Sequence, residues 1–328
     1  MGAEVSQSAN AHWQPSASLS MLKKRAAFLA SLRGFFSQHQ VLEVETPVLA
    51  PASVTDPHIQ SLTLAASPTG HDKASWYLQT SPEFAMKRLL AAGSGDIYQI
   101  SRVFRQGEIG RLHNAEFTML EWYRLGYDHH CLMQEVHELL THLGLDYGAE
   151  YLSYAQAYER FAGIDPHQAS LKTIIECAHD VGAASGLPVD SLSEKDQWLD
   201  LLMGQVVGPR LGQDKATFLF DFPASQAALA RLGEHGLAER FELFLGGIEV
   251  ANGYHELTDA DELLRRFVRD NEQRQRLGLE EVVIDKHLLE AMHHGLPDCA
   301  GVAVGLDRLL MYLTGVSKLS QVQAFPMQ

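Results

Sequence analysis

The chain has 328 residues, 46% of them hydrophobic, and a net charge of −15. That length can bury a full core in one large domain or two modest ones. The acidic balance and the lack of any Lys/Arg run weigh against nucleic-acid binding driven by counterion release. Cys131, Cys177 and Cys299 are too far apart in sequence for a disulfide framework or a CxxC metal knuckle, which implies a reducing cytoplasm. No stretch reads as a membrane span, since the most apolar late run, Ala300 to Leu313, is broken by Asp307 and Arg308. The first 18 residues form a polar tail without a secretory core, although Met1 to Ser6 fits the loose N-myristoylation pattern.

Beyond that tail, with Trp13-Gln14-Pro15-Ser16 expected to pin it to the body, Leu22, Ala26, Leu29, Leu32 and Phe36 recur at helical spacing. They predict a long amphipathic helix over 19–38. Val41 to Pro47 alternates as a strand stopped by proline, and Trp76 to Gln79 reads as another short strand. Ser81-Pro82-Glu83 opens a helix, with proline in its first turn and an acid beside it. Ile97-Tyr98-Gln99-Ile100 leads into Phe104-Arg105-Gln106-Gly107-Glu108, and Glu116 to Tyr123 alternates on the way out, a strand–turn–strand unit. Residues 128–215 have a mainly helical pattern, expected as an insertion, with breaks at Pro166, Gly186-Leu187-Pro188 and Gly208-Pro209.

Strands return at Thr217 to Phe222, whose aromatics alternate onto one face, and at Phe241 to Leu245 and Ile248 to Asn252, which flank the hairpin signal Gly246-Gly247. Helices are expected near 259–277 and 288–293, then a strand at Gly301 to Gly305 and a helix from Asp307. The order helix, strands, helices, strands, helix predicts an α+β fold with a mostly antiparallel sheet flanked by helices. Of the 16 histidines, the pairs His129-His130 and His293-His294 would point to different faces of a helix. They are therefore expected as surface or boundary residues, not joint metal ligands.

The arginines in and beside the 104–118 turn suit a polyphosphate, because guanidinium binds phosphate oxygens in a planar, bidentate way. An aromatic on the return strand offers a face for a base. Glu242 and Glu249 each sit in an otherwise apolar strand, where an unpaired carboxylate is costly. Either alone could face solvent, but the recurrence of Glu242, Glu249 and Glu256 at intervals of seven points to a site, and two such ligands suit Mg²⁺. Gly305 allows close backbone approach just before Arg308 at a helix start that favours anions. No P-loop and no nucleophile elbow occurs.

Val44-Glu45-Thr46-Pro47, the Phe104-Arg105 hairpin and Gly301-Val302-Ala303-Val304-Gly305-Leu306-Asp307-Arg308 resemble motifs 1, 2 and 3 of the class II aminoacyl-tRNA synthetases. His113-Asn114-Ala115-Glu116-Phe117-Thr118-Met119, Thr80-Ser81-Pro82-Glu83 and Glu249-Val250-Ala251-Asn252-Gly253-Tyr254-His255-Glu256 resemble the lysyl type. Only a short tail precedes motif 1, where lysyl-tRNA synthetases carry an anticodon-binding barrel. The whole of 19–328, with Trp13 to Ser18 and Glu121-Trp122-Tyr123-Arg124, is similar to the elongation factor P–(R)-β-lysine ligase family.

The resemblance implies a homodimeric class II catalytic domain that activates β-lysine or lysine with ATP and transfers it to a lysine of elongation factor P, with no tRNA or membrane partner. Two alternatives keep the fold: an adenylate-forming ligase with a small-molecule acceptor, and a silent paralogue acting as a regulator. By resemblance, Arg105 holds the α-phosphate, Phe117 and Arg308 sandwich adenine, and Gln106, Gly107, His113, Asn114, Val250 and Gly305 complete the nucleotide site. Glu242 and Glu249 hold Mg²⁺. Glu256, Tyr123 and Glu121 take the substrate's ε-ammonium, while Ser81, Pro82, Glu83 and Asn252 address its other end. The chain departs from the lysyl pattern at Gly107, where a glutamate is usual, which leaves Glu108 as an open replacement. It departs again at Ala303, where glycine is usual; the added methyl would favour a β-amino acid.

Overall fold

The computed structural model describes residues 13–68, 70, 75–187 and 192–327. The N-terminal pattern at Met1 to Ser6 and the break at Pro188 lie outside the described residues. Ser18 caps helix α1 (Leu19–Gln38), its hydroxyl accepting from the Met21 amide at 3.1 Å. The helix has the expected bounds, and of the expected stripe Leu32 and Phe36 are buried and Leu22 and Leu29 half-buried against the same core. Met21, Phe28, Leu32, Phe35 and Phe36 are buried while Ala26 is exposed. The tail is pinned by backbone rather than by Trp13, which is 76% exposed; the Ser16 amide donates to the Ala324 carbonyl at 2.7 Å.

The strand expected at Val41 to Pro47 is only β1 (Leu42–Glu43), paired with the next long strand through Ile97 and Tyr98, and Glu43 also holds the Arg33 guanidinium and the Tyr98 hydroxyl. β2 (Leu49–Ala50) and β3 (Tyr77–Leu78) form a separate ribbon, so the strand expected at Trp76 to Gln79 is outside the main sheet. Then come α2 (Glu83–Ala91) and the hairpin β4 (Ile97–Phe104) and β5 (Glu116–Leu125). Residues 128–215 carry α3 (His129–His142), α4 (Tyr154–Ala162), α5 (Leu171–Asp180) and α6 (Lys195–Leu202). They also hold β6 (Ala149–Ser153), a short edge strand whose half-buried residues gave no alternating signal. β7 (Ala216–Phe222), β8 (Ala238–Leu245) and β9 (Ile248–His255) follow. The chain closes with α7 (Ala260–Arg276), α8 (Lys286–Gly295), β10 (Cys299–Gly305) and α9 (Leu306–Thr314).

Among the described residues the main sheet has eight strands in the order β1-β4-β5-β10-β9-β8-β7-β6. Its pairs are antiparallel except at the two edges, β1 with β4 and β6 with β7. One face packs on α1, α3 and α9 through Phe36, Trp122, Leu132 and Phe241. Helices α2, α7 and α8 enclose a second cluster around Met86, Phe267 and Leu288, and α4 to α6 pack on Phe222, Ala238 and Phe244. The expected single aromatic face of β7 is broken by a bulge between Phe220 and Phe222. Phe218 therefore joins the first cluster and Phe222 the third.

One buried ion pair ties three distant segments together. The Arg25 guanidinium of α1 reaches the Asp307 carboxylate of α9 at 2.5 Å and the Thr118 hydroxyl of β5 at 2.7 Å. The Thr118 amide donates to the other Asp307 oxygen at 2.7 Å. No helix among the described residues is long and apolar enough to cross a membrane.

Candidate active site

The period-2 alternation of β5 sorts its side chains. Leu120 and Trp122 enter the core, while Phe117, Met119, Glu121 and Tyr123 line an open cleft on the opposite face. β9 adds Asn252 and Tyr254, with Glu256 just beyond it, and β10 adds Gly301, Ala303 and Gly305. The cleft encloses about 1090 Å³ of non-atom space, part of it open to solvent. Glu249 and Glu256 are an odd number of residues apart, so an unbroken strand would put them on opposite faces. A bulge at Val250, where Leu243 pairs with Ala251 but Phe244 pairs with Glu249, brings both to the cleft.

At one end stand Arg105, Glu108, His113, Asn114, Phe117 and Arg308. The Arg105 guanidinium lies 5.2 Å from the Phe117 ring centre and 3.6 Å from the Glu108 carboxylate. Its Nε is buried without a hydrogen-bond partner among the described residues, a donor aimed where an anion would be welcome. Arg308 is aimed by backbone, donating to the Glu249 carbonyl at 3.0 Å and the Leu112 carbonyl at 3.3 Å. Burial and then the Arg308 charge push the His113 pKa down, which keeps its ring neutral at pH 7. The Asn114 amide nitrogen is committed to Gln323 at 2.7 Å, leaving its carbonyl oxygen unpaired.

Two expected residues of this end do not line the cleft. Gln106 instead holds the loop, its amide donating to the Gln60 carbonyl at 2.7 Å, and Gly107 makes the turn at φ 83°. Glu108 reaches the cleft beside Arg105, one position after the departure from the lysyl pattern.

The other end is acidic. Ser81, Glu83, Glu121, Tyr123, Asn252, Ala303 and Glu256 all line it, whereas Pro82 sits at the N-cap of α2 and faces an adjoining pocket. Glu121 accepts from the Ser81 hydroxyl at 2.7 Å, and burial followed by repulsion from Glu83 pushes its pKa up to about 8. Tyr123 is raised well above the ordinary tyrosine value by burial and then by Glu83.

Sequence reasoning missed Lys87. It stands one helical turn after Glu83, is 2% exposed, and puts its Nζ 2.6 Å from Glu83 Oε1 and 2.6 Å from Glu256 Oε2. Burial works to lower its pKa, but attraction to Glu256 and Glu83 outweighs it and the lysine stays charged. Glu256, expected as a free acceptor for a substrate ammonium, therefore already holds an internal cation. Its pKa is nonetheless pushed up to about 7 by burial. The i,i+4 spacing of Glu83 and Lys87 was legible in sequence, but their burial was not.

Glu242 is opposite Asn252 in the β8–β9 ladder, 7% exposed, and pairs with Arg240 Nη2 at 2.5 Å. Burial, then repulsion from Glu249, pushes it up to about 8. Glu249 lines the cleft and is half-buried, whereas Glu242 is not among the residues that line it. Two carboxylates close enough to repel one another are still a donor set suited to a hard divalent cation, so the residues fit Mg²⁺. Sequence reasoning also missed Arg240, which sets the charge on Glu242 from within the wall, and Tyr254, which lines the cleft.

The family model for class II tRNA synthetases (D, K and N) matches residues 9–328. The elongation factor P--(R)-beta-lysine ligase of Yersinia enterocolitica is 49% identical over 322 residues, covering 97% of this chain and 98% of the relative. Proteins of the same name from Hamiltonella defensa and Vibrio parahaemolyticus are 48% and 46% identical, covering 97% and 96% of this chain and 98% of each relative. With the sheet, the paired arginines and the acidic pocket in place, these matches settle descent: the chain belongs to the class II tRNA synthetases of the D, K and N type and, within them, to the elongation factor P–(R)-β-lysine ligase family.

Proposed function

We propose that this chain condenses (R)-β-lysine, or lysine, with ATP to an aminoacyl-adenylate and passes the acyl group to a lysine side chain of elongation factor P. It does so as a homodimer in the cytoplasm, formed through the α1 region that carries motif 1. The observation that carries the reading is the polarity of one cleft: guanidinium groups of Arg105 and Arg308 at one end, and Glu83, Glu121 and Glu256 at the other. A substrate with a phosphate-bound carboxyl and a distant ammonium matches that polarity.

In this reading a substrate carboxylate oxygen attacks the α-phosphorus and pyrophosphate leaves. The nucleophile is already ionised, so no general base is required and catalysis is positioning plus charge stabilisation. Arg105 holds the α-phosphate, its unpartnered Nε supplying a donor. Phe117 and Arg308 stack on the adenine, an arrangement worth roughly 0.5–2 kcal/mol. Neutral His113, Asn114, Gly305 and the Val250 backbone complete the nucleotide pocket, with Glu108 beside Arg105 in place of the missing motif 2 glutamate. Glu242 and Glu249 hold Mg²⁺, which when bound supplies charge neutralisation on the triphosphate.

Glu256, Tyr123 and Glu121 receive the ε-ammonium, with Lys87 fixing the Glu256 carboxylate. Glu83 and Asn252 address the end nearer the carboxyl, and Ala303 narrows the floor there. The acceptor amine then attacks the acyl carbonyl and AMP leaves. Residues 19–328 act as one catalytic unit, with 128–215 an insertion whose α3 packs into the main core and whose α4 to α6 share a core with β7 and β8.

The test is ATP–pyrophosphate exchange with each lysine isomer, followed by purified elongation factor P or tRNA(Lys) as acceptor. The expected result is isomer-dependent exchange, labelled elongation factor P and uncharged tRNA. Arg105→Ala is expected to abolish exchange. Efficient charging of tRNA(Lys) would overturn the reading.

A further inference from the structure

On the sheet face opposite the cleft, three side chains from separate elements converge. Phe241 and Leu243 of β8 belong to the core on the face away from the cleft, so Glu239 projects with them, as does His255 beside cleft-lining Glu256. His129 joins them from the first turn of α3. It was expected at the surface or a boundary, yet it is 4% exposed and neither ring nitrogen has a hydrogen-bond partner among the described residues. One ligand atom from each of His129, Glu239 and His255 lies within 4.8 Å of the others.

An imidazole buried with both nitrogens unpaired forfeits its hydration without recompense. A cation accepting one lone pair removes that deficit. The remainder of the cluster is arranged as a ligand set needs. His255 Nδ1 faces Glu239 Oε2 at 2.5 Å, while its Nε2 faces the Asp298 carboxylate at 3.2 Å. Asp298 is in turn held by Arg231 at 2.5 Å. At 2.5 Å, Nδ1 and Glu239 share a proton, which an entering metal would displace, while the carboxylate on the far nitrogen holds the ring in the tautomer that then ligates through Nδ1. Asp221 Oδ1, 3.7 Å from His129 Nε2, supplies a further oxygen. Ligand atoms around a tetrahedral zinc ion stand roughly 3.3 Å apart, which small rotamer changes would reach from here.

We propose that His129, Glu239 and His255 form a binding site for a zinc-type divalent cation, distinct from the Mg²⁺ site of the cleft. Two imidazoles and a carboxylate suit borderline ions, whereas Mg²⁺ and Ca²⁺ select oxygen ligands. The ion would fasten α3 to β8 and β9 and stiffen the chain one residue from Glu256. The role is structural, so the chemistry in the cleft does not pass through it.

The experiment titrates Co²⁺, as a spectroscopic stand-in, into full-length protein stripped by chelator. One equivalent is expected to give the visible bands of a four-coordinate ion, displaced by Zn²⁺ and unaffected by millimolar Mg²⁺. His129→Gln and Glu239→Gln are each expected to weaken Co²⁺ binding by about tenfold or more. Zn²⁺ is expected to raise the Tm of the wild-type chain, which reads the site even where a variant folds poorly. Absence of the bands and of the Tm rise, or bands that survive both substitutions, would overturn the proposal.

Discussion

Lys87 Nζ stands 2.6 Å from Glu256 Oε2 at the floor of the acidic pocket, a buried ion pair between α2 and the end of β9. The same ammonium reaches Glu83, so one internal cation offsets two of the carboxylates that converge there. The pocket is thereby assembled before any ligand enters.

Removing that cation should be costly. Lys87→Met leaves buried Glu256 and half-buried Glu83 without their partner and is expected to lower the stability by about 3–5 kcal/mol in urea denaturation. Adding Glu256→Gln to it should cost less than the sum of the two single changes, since they share one interaction. Strict additivity would show that the pair is not coupled.

The pocket carboxylates predict a pH dependence of definite sign. Glu121 and Glu242 are pushed up to about 8 and Glu256 to about 7, all above the ordinary 4.5. A carboxyl whose folded pKa is raised contributes stability that is fully present below the unfolded pKa, and that is lost as pH climbs through the folded value. The ligand-free protein should therefore lose stability from these groups between about pH 4.5 and 8. Lysine and Mg·ATP need the ionised forms, so the Tm gain they produce should grow over that window. Thermal melts across it, with and without ligands, measure both trends; a ligand-induced gain that falls with pH would contradict the assignment.

Two positions on β10 separate space from selectivity. A methyl at Gly301 would collide with the Tyr123 ring and lie 2.6 Å from Glu256 Oε1. Gly301→Ala should raise the KM for the amino acid by about tenfold or more while leaving the ATP-induced Tm shift in place. Ala303→Gly should act in the opposite sense, moving preference towards α-lysine by up to about 10–200-fold, the usual range for one methyl group. Exchange kinetics with both isomers decide each case.

The Arg25–Asp307 pair predicts stability effects at the edge of the cleft, which Asp307 helps to line. Arg25→Ala strands a buried carboxylate and should cost about 3–5 kcal/mol. Arg25→Lys keeps the charge but loses the fork that reaches Thr118, and should cost roughly 1–2 kcal/mol. Equal losses in chemical denaturation would remove the geometric role of the guanidinium.

Much of this protein was legible along the chain. Helix α1 has its expected bounds because Ser18 caps it and the apolar spacing is long and regular. β5 was legible because alternation declares a two-faced strand, β9 because Gly246-Gly247 signals a hairpin, and β10 as a short apolar run between Gly301 and Gly305. The acidic and basic residues of the cleft stand in motifs short enough to recognise. β6 was missed because an edge strand of half-buried residues has no such alternation, and β1 proved shorter than the alternation of Val41 to Pro47 suggested.

By itself, then, the sequence determined most of the element types, the resemblance to the family and most of the charges of the cleft, since these stand in local patterns and short motifs. Only the tertiary structure decided that a bulge at Val250 turns Glu249 towards the cleft, that Lys87 neutralises Glu256, and that His129 meets Glu239 and His255 behind the sheet. Strand register and the packing of helices on the sheet set these meetings. Both are settled by how the whole core fills space, so no local stretch of sequence carries them.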